Sequence, residues 1–307
     1  MRVLILGAGP AGLTVAERLR ELTPDLDQQC DITMVSAEPV PPYSPPAMAD
    51  YVLSGDSERL FWKGEDICGR LGIDYRSAVQ AQHLDAEKRQ VELTDGTRLP
   101  YDRLVLATGS HPYAPLPGND LQDVYNFKSL TAANALVQRT RLGEVTSAVV
   151  VGAGFIGVEV ALLLNDLGLD VTVIEQQTVM SRMLDHESAE IVRQTLVARG
   201  ITVHLQTTAL SFCDLEGRAI GVVLDNGDML KANVYIAATG IKPNVEYLKD
   251  SGIELNWGVP VDETLATNLP CVWAAGDIAE TADRVTGERY VHAIWPNATT
   301  QGRVVAE

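Results

Sequence analysis

The sequence predicts an α/β fold built from two similar strand–turn–helix units, with the second unit inserted into the first. Two glycine-rich turns predict the units: GAGPAG from Gly7 to Gly12 and GAGFIG from Gly152 to Gly157, each between a short apolar run and a helical pattern. The segments Leu93 to Gly109 and Leu224 to Gly240 align without a gap, which indicates an internal duplication. A length of 307 residues leaves room for two domains.

The first unit is predicted from three consecutive segments. Arg2 to Leu6 is a leucine and β-branched run that predicts a strand, and the spacing from Ala11 to Leu22 predicts a helix that ends before Pro24. Asp31 to Val35 predicts the next strand. Together these segments have the size of a β–α–β dinucleotide-binding unit.

The second unit repeats this order. Ala148 to Val151 predicts a strand, the helix after the glycine turn is expected to stop at Gly168, and Asp170 to Glu175 predicts the second strand. The chain is almost continuously apolar from Ala148 to Leu164, but that run contains Glu159 and is shorter than the roughly 20 residues that span a bilayer. We therefore expect no membrane partner.

Each duplicated segment carries a predicted hairpin and a strand that ends at Ala-Thr-Gly. Asp95-Gly96 and Asn226-Gly227 predict type I′ turns, because these residues tolerate positive φ. A further apolar strand is expected from Val272 to Asp277. Proline-bearing linkers, from His111 to Gly118 and from Lys242 to Asn244, mark the ends of the insertion. The predicted domains are therefore residues 1–115 with 243–307, and residues 116–242.

The composition disfavours several functional classes. The chain has 24 basic and 41 acidic residues, and the resulting formal charge of −17 disfavours nucleic acid and anionic membrane surfaces as partners. The cysteines form no CxxC pair, so we expect neither a disulfide scaffold nor a dithiol relay, and a reducing cytoplasm fits this pattern. They are Cys30, Cys68, Cys213 and Cys271.

The two glycine turns predict two Rossmann-like dinucleotide-binding domains. Glycine lets the backbone approach a pyrophosphate, and the helix that starts there offers free amides and the positive end of its dipole. Glu175 ends the second strand of the second unit, where a carboxylate binds ribose hydroxyls and repels a 2′-phosphate. This favours NADH over NADPH, and a solvated glutamate at a strand end is the alternative. In the first unit the nearest carboxylate is Glu38.

The motifs resemble those of the FAD-dependent pyridine nucleotide-disulphide oxidoreductases. The branch that contains rubredoxin reductases, ferredoxin reductases and the flavin portion of nitrite reductases is the most similar. The resemblance covers nearly the whole chain. The segments that carry it are SAEPVPPYS, YDRLVLATGSHP, GAGFIGVEVA, AATGIKPN, AAGD and WPNATTQGRV.

The resemblance implies that the first domain binds FAD. Lys128 falls where this branch usually carries an arginine, and a core tryptophan is the alternative interpretation of Trp295. The FAD-binding residues that the resemblance implies are Gly7, Gly9, Pro10, Ala11, Gly12, Glu38, Ala107, Thr108, Gly109, Lys128, Gly276, Asp277 and Trp295.

The resemblance also implies that the second domain binds NADH. Glu159 corresponds to an acid close to the nicotinamide and the flavin, so it is the one candidate catalytic residue, with helix capping as the alternative. The NADH-binding residues that the resemblance implies are Gly152, Gly154, Phe155, Ile156, Gly157, Glu175 and Gly240.

The chain departs from the family pattern in three places. Disulfide-using members carry redox cysteines where Pro41 to Tyr51 has none, so a thiolate mechanism is excluded. Pro45 stands where electron-transfer members usually have an arginine, and Asp50 stands where some have a lysine that can pair with the acid corresponding to Glu159. Members usually continue beyond the position of Glu307 into a domain that forms a homodimer, so the resemblance does not carry that homodimer over to this chain.

These features predict a cytoplasmic flavoprotein that takes hydride from NADH onto FAD and passes electrons to an external iron–sulfur or rubredoxin-type protein. One alternative is an NADH oxidase that forms peroxide. Another is a redox-sensing or interaction flavoprotein, as a subunit of a larger complex. The acidic charge favours a partner with a basic face.

Overall fold

The chain folds into two compact units, seen in a computed structural model that describes residues 1–24, 30–125, 127–283 and 285–307. The first unit comprises residues 1–44, 58–111 and 242–307. The second comprises residues 45–57 and 112–241. Relative to the predicted domains, residues 45–57 and 112–115 belong to the second unit and Lys242 to the first.

A five-stranded parallel sheet forms the centre of the first unit. Its strands in spatial order are β19 (Val272–Ala274), β7 (Arg103–Leu106), β1 (Arg2–Leu6), β2 (Asp31–Val35) and β3 (Ile73–Arg76). The sheet is buried on both faces, which explains why β1 and β7 are almost purely apolar.

Two helices of the first unit pack directly on each other, α1 (Pro10–Leu22) and α8 (Trp295–Ala306). Gly302 permits this contact, because a Cβ there would lie 2.6 Å from the carbonyl oxygen of Ala11. The chain also forms short helices at α3 (Ser57–Leu60) and α4 (Ile67–Arg70), and 3-10 turns at Pro45–Ala47 and Glu246–Leu248.

The second unit has the same plan. Its parallel sheet has the order β12 (Thr202–His204), β11 (Asp170–Ile174), β10 (Ser147–Val151), β16 (Val234–Ala237) and β9 (Val124–Tyr125). Its helices are α2 (Met48–Ser54), α5 (Leu130–Arg141), α6 (Phe155–Asp166) and α7 (His186–Ala198). Arg141 donates from Nη2 to the carbonyl oxygen of Val52 over 2.8 Å, which joins α2 to α5 and explains why residues 45–57 belong to this unit.

Each unit also carries an antiparallel three-stranded meander. The first meander is β4 (Ala81–Asp85), β5 (Gln90–Leu93) and β6 (Arg98–Pro100). The second meander is β13 (Ala209–Leu215), β14 (Arg218–Leu224) and β15 (Met229–Leu230). In both, the last strand leads into the parallel strand that ends at Ala-Thr-Gly, so the predicted two-domain α/β fold is confirmed.

The hairpin turns of the meanders differ from the predicted type I′. Only the glycines have positive φ, 82° at Gly96 and 88° at Gly227, while Asp95 and Asn226 do not. The amide of Gly96 donates to the carbonyl oxygen of Leu93 over 2.9 Å. The Leu93 amide donates to the carbonyl oxygen of Thr97 over 2.8 Å, so three residues, rather than two, lie between the last bonded residues of the hairpin. A type I turn followed by a left-handed glycine matches the twist of such a hairpin.

The remaining strands are short. At the two crossings between the units, β8 (Ser110–Pro112) pairs with β17 (Ile241–Pro243). A small sheet has the order β18 (Val259–Pro260), β20 (Ala279–Ala282) and β21 (Arg289–Tyr290).

The apolar run from Ala148 to Leu164 forms strand β10, the glycine turn and most of α6, as predicted. Gly168 ends this segment with φ 86°, and its amide donates to the carbonyl oxygen of Asn165 over 2.9 Å. Across the part of the chain that the structure describes, no helix is both long enough and apolar enough to span a bilayer.

Replacement of one buried residue in each meander by alanine tests whether both inner faces contribute to the core. Leu84 and Phe212 are buried at equivalent positions of β4 and β13. We expect Leu84→Ala to lower the free energy of unfolding by about 2–5 kcal/mol and Phe212→Ala by about 3–5 kcal/mol. Denaturant unfolding followed by circular dichroism measures both. Ile191→Ala, on the exposed face of α7, should stay within about 0.5 kcal/mol, and equal losses at all three positions would contradict the core assignment.

Candidate functional site

Two of the three glycines in the first glycine turn, Gly7 to Gly12, have no room for a Cβ, and the middle one has room. A Cβ on Gly7 would lie 2.0 Å from the carbonyl oxygen of Ala107, and a Cβ on Gly12 would lie 2.0 Å from that of Gly7. Gly7 also has φ 112°, so only glycine fits there. A Cβ on Gly9 would meet no atom within 4 Å. The middle glycine therefore borders the space into which a pyrophosphate approaches in this type of turn.

The second glycine turn, Gly152 to Gly157, has the same construction. A Cβ on Gly152 would lie 2.5 Å from the carbonyl oxygen of Ala238, and one on Gly157 would lie 2.0 Å from that of Gly152. A Cβ on Gly154 would again meet nothing within 4 Å. Both turns therefore fit the pyrophosphate of a dinucleotide in the same way.

Each turn opens a helix whose first amides no side chain caps. Gly9 is the N-cap of α1 and Gly154 is the N-cap of α6, and neither helix has a side-chain hydrogen bond at its cap. Pro10, as the first residue of α1, lacks an amide that would otherwise need an acceptor. The remaining amides and the helix dipole favour an anion at each start. At the start of α6, Phe155 is exposed and Ile156 is half-buried.

The Ala-Thr-Gly turn after β7 is held by Asn244. The Asn244 side chain donates from Nδ2 to the carbonyl oxygen of Thr108 over 2.7 Å, and the Thr108 hydroxyl donates to the carbonyl oxygen of Asn244 over 3.1 Å. The Asn244 amide also donates to the carbonyl oxygen of Gly109 over 3.0 Å. The sequence analysis did not select Asn244 as a site residue, although the KPN motif contains it.

His111 is half-buried and bonded, not a free linker residue. Its Nδ1 lies 2.6 Å from Oδ1 of Asn244. Because Nδ2 of Asn244 is occupied as a donor to Thr108, Oδ1 must accept, and Nδ1 of His111 carries the hydrogen. The side chain thus belongs to the network that fixes the turn after β7.

The Gly-Asp pair after β19 lies beside the first glycine turn. Gly276 has φ 79°, and a Cβ there would lie 3.1 Å from Cβ of Ala11. Its amide donates to Oε1 of Gln301 over 2.7 Å. Oδ2 of Asp277 accepts from the Ser110 hydroxyl over 2.6 Å. The first unit therefore brings α1, β8, β19 and α8 together at one place, and Ser110 is a member that sequence reasoning missed. The strand itself is shorter than predicted and ends at residue 274.

The other residues predicted for FAD lie at separate positions. Glu38 follows β2, and its Oε1 accepts from the Tyr43 hydroxyl over 2.8 Å. Trp295 is the first residue of α8 and packs edge-to-face on Trp62, with ring centroids 5.0 Å apart. Lys128 lies in the second unit, just before α5, and so is not one of the residues that the first unit gathers.

Glu175 is anchored to the second glycine turn. It follows β11 directly, and its Oε2 accepts from the Ala153 amide over 2.7 Å while Oε1 accepts from the Gln177 amide over 3.0 Å. These bonds fix the carboxylate at the turn, which is a different arrangement from a freely solvated strand end. In the segment that follows β16, the carbonyl oxygen of Gly240 accepts a hydrogen bond from the Tyr113 amide over 2.8 Å.

Glu159 lies in the second turn of α6, half-buried. Burial raises the pKa of its carboxyl above the ordinary value of 4.5, and the negative charge of Asp50 on α2 raises it further. The helix cap is Gly154, so Glu159 does not cap the helix. The residue that faces it from α2 is thus an acid, where some electron-transfer members have a lysine.

The four cysteines are free thiols. Cys30 and Cys68 are buried in the core of the first unit, and burial raises the pKa of the Cys68 thiol to about 11. A thiol with such a pKa is a poor nucleophile and a poor electron carrier at neutral pH.

Comparison with known proteins places this geometry in a family. Residues 1–302 match the family described as pyridine nucleotide-disulphide oxidoreductase. The NADH-dependent phenylglyoxylate dehydrogenase subunit epsilon of Aromatoleum evansii is 34% identical over 99% of this chain and 71% of that protein. An NADH oxidase of Methanocaldococcus jannaschii is 31% identical over 100% of this chain and 69% of that protein.

One solved structure is similar to this chain along nearly its whole length. The ferredoxin reductase of Rhodopseudomonas palustris is 32% identical, with a TM-score of 0.90 over 99% of this chain and 75% of that one. The similarity therefore extends through both units.

The raised pKa of Glu159 makes stability depend on pH. The folded chain binds this proton more tightly than the unfolded chain. The carboxyl therefore does not destabilise the fold below the unfolded pKa, and it lowers the free energy of unfolding most once the pH exceeds the folded pKa. We expect Glu159→Gln to raise the Tm at about pH 8 and to leave it unchanged at about pH 4. Asp50→Asn should lower the Glu159 pKa in a carboxyl NMR titration. Glu144→Gln, at an exposed position, serves as control, and a lower Tm of Glu159→Gln at the higher pH would contradict the burial cost.

Proposed function

Because the chain belongs to the pyridine nucleotide-disulphide oxidoreductase family, we propose that it carries electrons from NADH through FAD to a separate iron–sulfur or rubredoxin-type protein. It is an FAD-dependent NAD(P)H oxidoreductase, as the family is. We also propose which unit binds each nucleotide, which residues bind it, and which class of protein accepts the electrons.

The observation that carries the proposal is the doubled glycine turn. Each copy closes its first and third glycines against the backbone and leaves the middle one open, so the chain offers two equivalent pyrophosphate sites. A protein that bound one nucleotide would need one such turn. Two turns on one chain suit a pair of nucleotides that exchange electrons.

FAD is assigned to the first unit on the residues that surround its glycine turn. The Gly276-Asp277 segment is positioned against Ala11 and held by Gln301 and Ser110, which fixes the Asp277 carboxylate next to the turn. A carboxylate there would accept hydrogen bonds from the hydroxyls of the flavin side chain. Glu38 at the end of β2 would serve the adenosine ribose, as its position after the second strand favours.

NADH is assigned to the second unit on Glu175. The amides of Ala153 and Gln177 hold the carboxylate at the turn, where it would accept from the ribose hydroxyls and place a negative charge against a 2′-phosphate. When bound, FAD supplies the chemistry, because it takes hydride from NADH and releases electrons singly. The protein binds both nucleotides, orients them and excludes water.

The acceptor is assigned outside the chain. The segment from Pro41 to Tyr51 has no cysteine, and Cys30 and Cys68 are buried in the first unit. Cys271, the third cysteine of that unit, is half-buried with its Sγ 3.5 Å from Nη1 of Arg103, outside the segment where disulfide-using members carry redox cysteines, so we propose no thiol relay. The name of the ferredoxin reductase to which this chain is similar supports an iron–sulfur acceptor. The charge of −17 favours a basic docking face on that acceptor, and the free thiols fit a reducing cytoplasm.

Two further candidates rest on the other relatives. The similarity to a protein named NADH oxidase favours dioxygen as acceptor, and without a redox cysteine the product would be peroxide. The similarity to a protein named subunit epsilon favours a role inside a complex. A redox-sensing flavoprotein would show slow reduction of its flavin by NADH.

Acceptor competition separates these candidates. The NADH-reduced protein is mixed anaerobically with a [2Fe–2S] ferredoxin or a rubredoxin, and in parallel with dioxygen. We expect the iron protein to be reduced at least tenfold faster than peroxide forms. Peroxide formed one per NADH with no transfer to the iron proteins would establish the oxidase instead, and slow reduction by NADH would favour the redox-sensing flavoprotein.

Substitution of the middle glycines tests the two nucleotide assignments. Gly9→Ala and Gly154→Ala add a methyl group where the structure has space, so we expect the fold to be retained. We expect Gly9→Ala to weaken FAD binding and Gly154→Ala to weaken NADH binding, each at least about tenfold, or about 1.4 kcal/mol. Titration calorimetry with each nucleotide measures this. Loss of FAD binding in Gly154→Ala alone would reverse the assignment.

Neutralisation of Glu175 tests the choice of coenzyme. Glu175→Gln keeps the side-chain length but removes the charge that opposes a 2′-phosphate. We expect the ratio of kcat/KM for NADH over that for NADPH to fall at least about tenfold, about 1.4 kcal/mol of discrimination. Glu144→Gln, at an exposed position, should leave the ratio unchanged. An unchanged ratio in Glu175→Gln would contradict the proposal that Glu175 selects NADH over NADPH.

A further inference from the structure

The duplication allows the outer faces of the two meanders to be compared position by position. The residue four before the hairpin glycine pairs with the residue two after it in both copies: Glu92 with Arg98, and Val223 with Met229. In the first meander the pair is an ion pair, with Nη2 of Arg98 3.1 Å from Oε2 of Glu92. In the second meander the same positions are apolar.

A third equivalent position differs in the same way. Both first strands contain a β-bulge at their second residue, which is Gln82 in β4 and Leu210 in β13. Leu210 is 50% exposed and Met229 is 41% exposed. Ile220, at a second bulge of the second meander, is 36% exposed. At these equivalent positions the outer face of the first meander is thus polar, and that of the second is apolar.

The inner faces do not differ in this way. Leu84 and Val91 in the first meander and Phe212 and Val222 in the second are all buried in their cores. The fold therefore requires an apolar inner face in both copies, and the first copy shows that it tolerates a charged outer face. On the outer face of the second meander Met229 lies against Cys213, with Sδ 3.5 Å from Sγ, while Leu210 and Ile220 remain exposed. Exposed apolar patches of this kind mark interaction surfaces.

We propose that the outer face of the second meander, formed by Leu210, Ile220, Val223 and Met229, is the docking surface for a different polypeptide whose apolar contact is bordered by lysine and arginine side chains. This inference goes beyond the proposed function and does not depend on it.

The charges around this face identify the kind of partner. The two hairpin turns that flank it expose four acids, Asp214, Glu216, Asp225 and Asp228. Of the neighbouring bases, Arg218 is engaged by Asp123 over 2.8 Å, and Lys231 is the other. A second copy of the chain would bring one acidic rim against another, which disfavours a symmetric dimer through this face. A basic rim on a different polypeptide is complementary.

Transfer of the residues of the first meander to the second provides a variant that the fold should accept. Leu210→Gln, Val223→Glu and Met229→Arg together give the second meander the outer residues of the first, including the Glu–Arg pair. The matched control is Met183→Arg with Ile191→Gln, at two apolar positions of the second unit that are more exposed. The single variant Leu210→Gln serves if the triple variant fails to fold.

Photo-crosslinking of the flavin-loaded chain in its own cells identifies the partner. Benzoylphenylalanine is introduced at position 229, and at position 191 as control, and the linked peptide is sequenced. We expect one polypeptide to link at position 229 at least tenfold more than at 191, through an apolar segment flanked by basic residues. A link to a second copy of this chain, or no excess over position 191, overturns the proposal.

Binding of the purified pair completes the test. We expect the Kd to rise at least tenfold in the triple variant and severalfold in Leu210→Gln, to rise with salt, and to stay unchanged in the control variant. An unchanged Kd in the triple variant overturns the proposal. Reduction of the flavin by NADH should keep its rate in the triple variant, so loss of docking is distinguished from failure of the proposed function.

Discussion

The structure depends on a backbone approach that only glycine permits. In each unit the third glycine of the turn lies against the carbonyl oxygen of the first, at a distance that leaves no room for a Cβ. This contact brings the helix onto the end of the sheet and directs its uncapped amides outward from the middle glycine. The start of each helix and the free amides at that start therefore follow from one local constraint, applied twice.

The sequence revealed what this constraint and the hydrophobic pattern determine. Both turns, both central strands, the helix stop at Gly168 and the duplicated meanders were predicted, because each has a local signal in glycine position or apolar spacing. The turn type was wrong, because Asp95-Gly96 and Asn226-Gly227 indicate a hairpin but do not by themselves specify two or three connecting residues.

Long-range contacts account for what the sequence missed. Residues 45–57 belong to the second unit because α2 packs on its helices and because Arg141 donates to the carbonyl oxygen of Val52. Arg141 is far from α2 in sequence. Asn244 and Ser110 acquire their positions from strands at the two crossings, and the acid pair of Asp50 and Glu159 exists only because α2 lies against α6. Such partners have no local signature. The family resemblance identified Asp50 as a departure from the family pattern, but only the structure shows that Asp50 raises the pKa of Glu159.

We propose that one chain offers two nucleotide sites with different occupants. Anaerobic titration of the purified, flavin-loaded protein with NADH, followed by the visible absorption of the flavin, is the decisive experiment. We expect one bound flavin per chain and complete bleaching by one equivalent of NADH, with NADPH much slower. A protein that retains no flavin, or a flavin that NADH leaves oxidised, would contradict it.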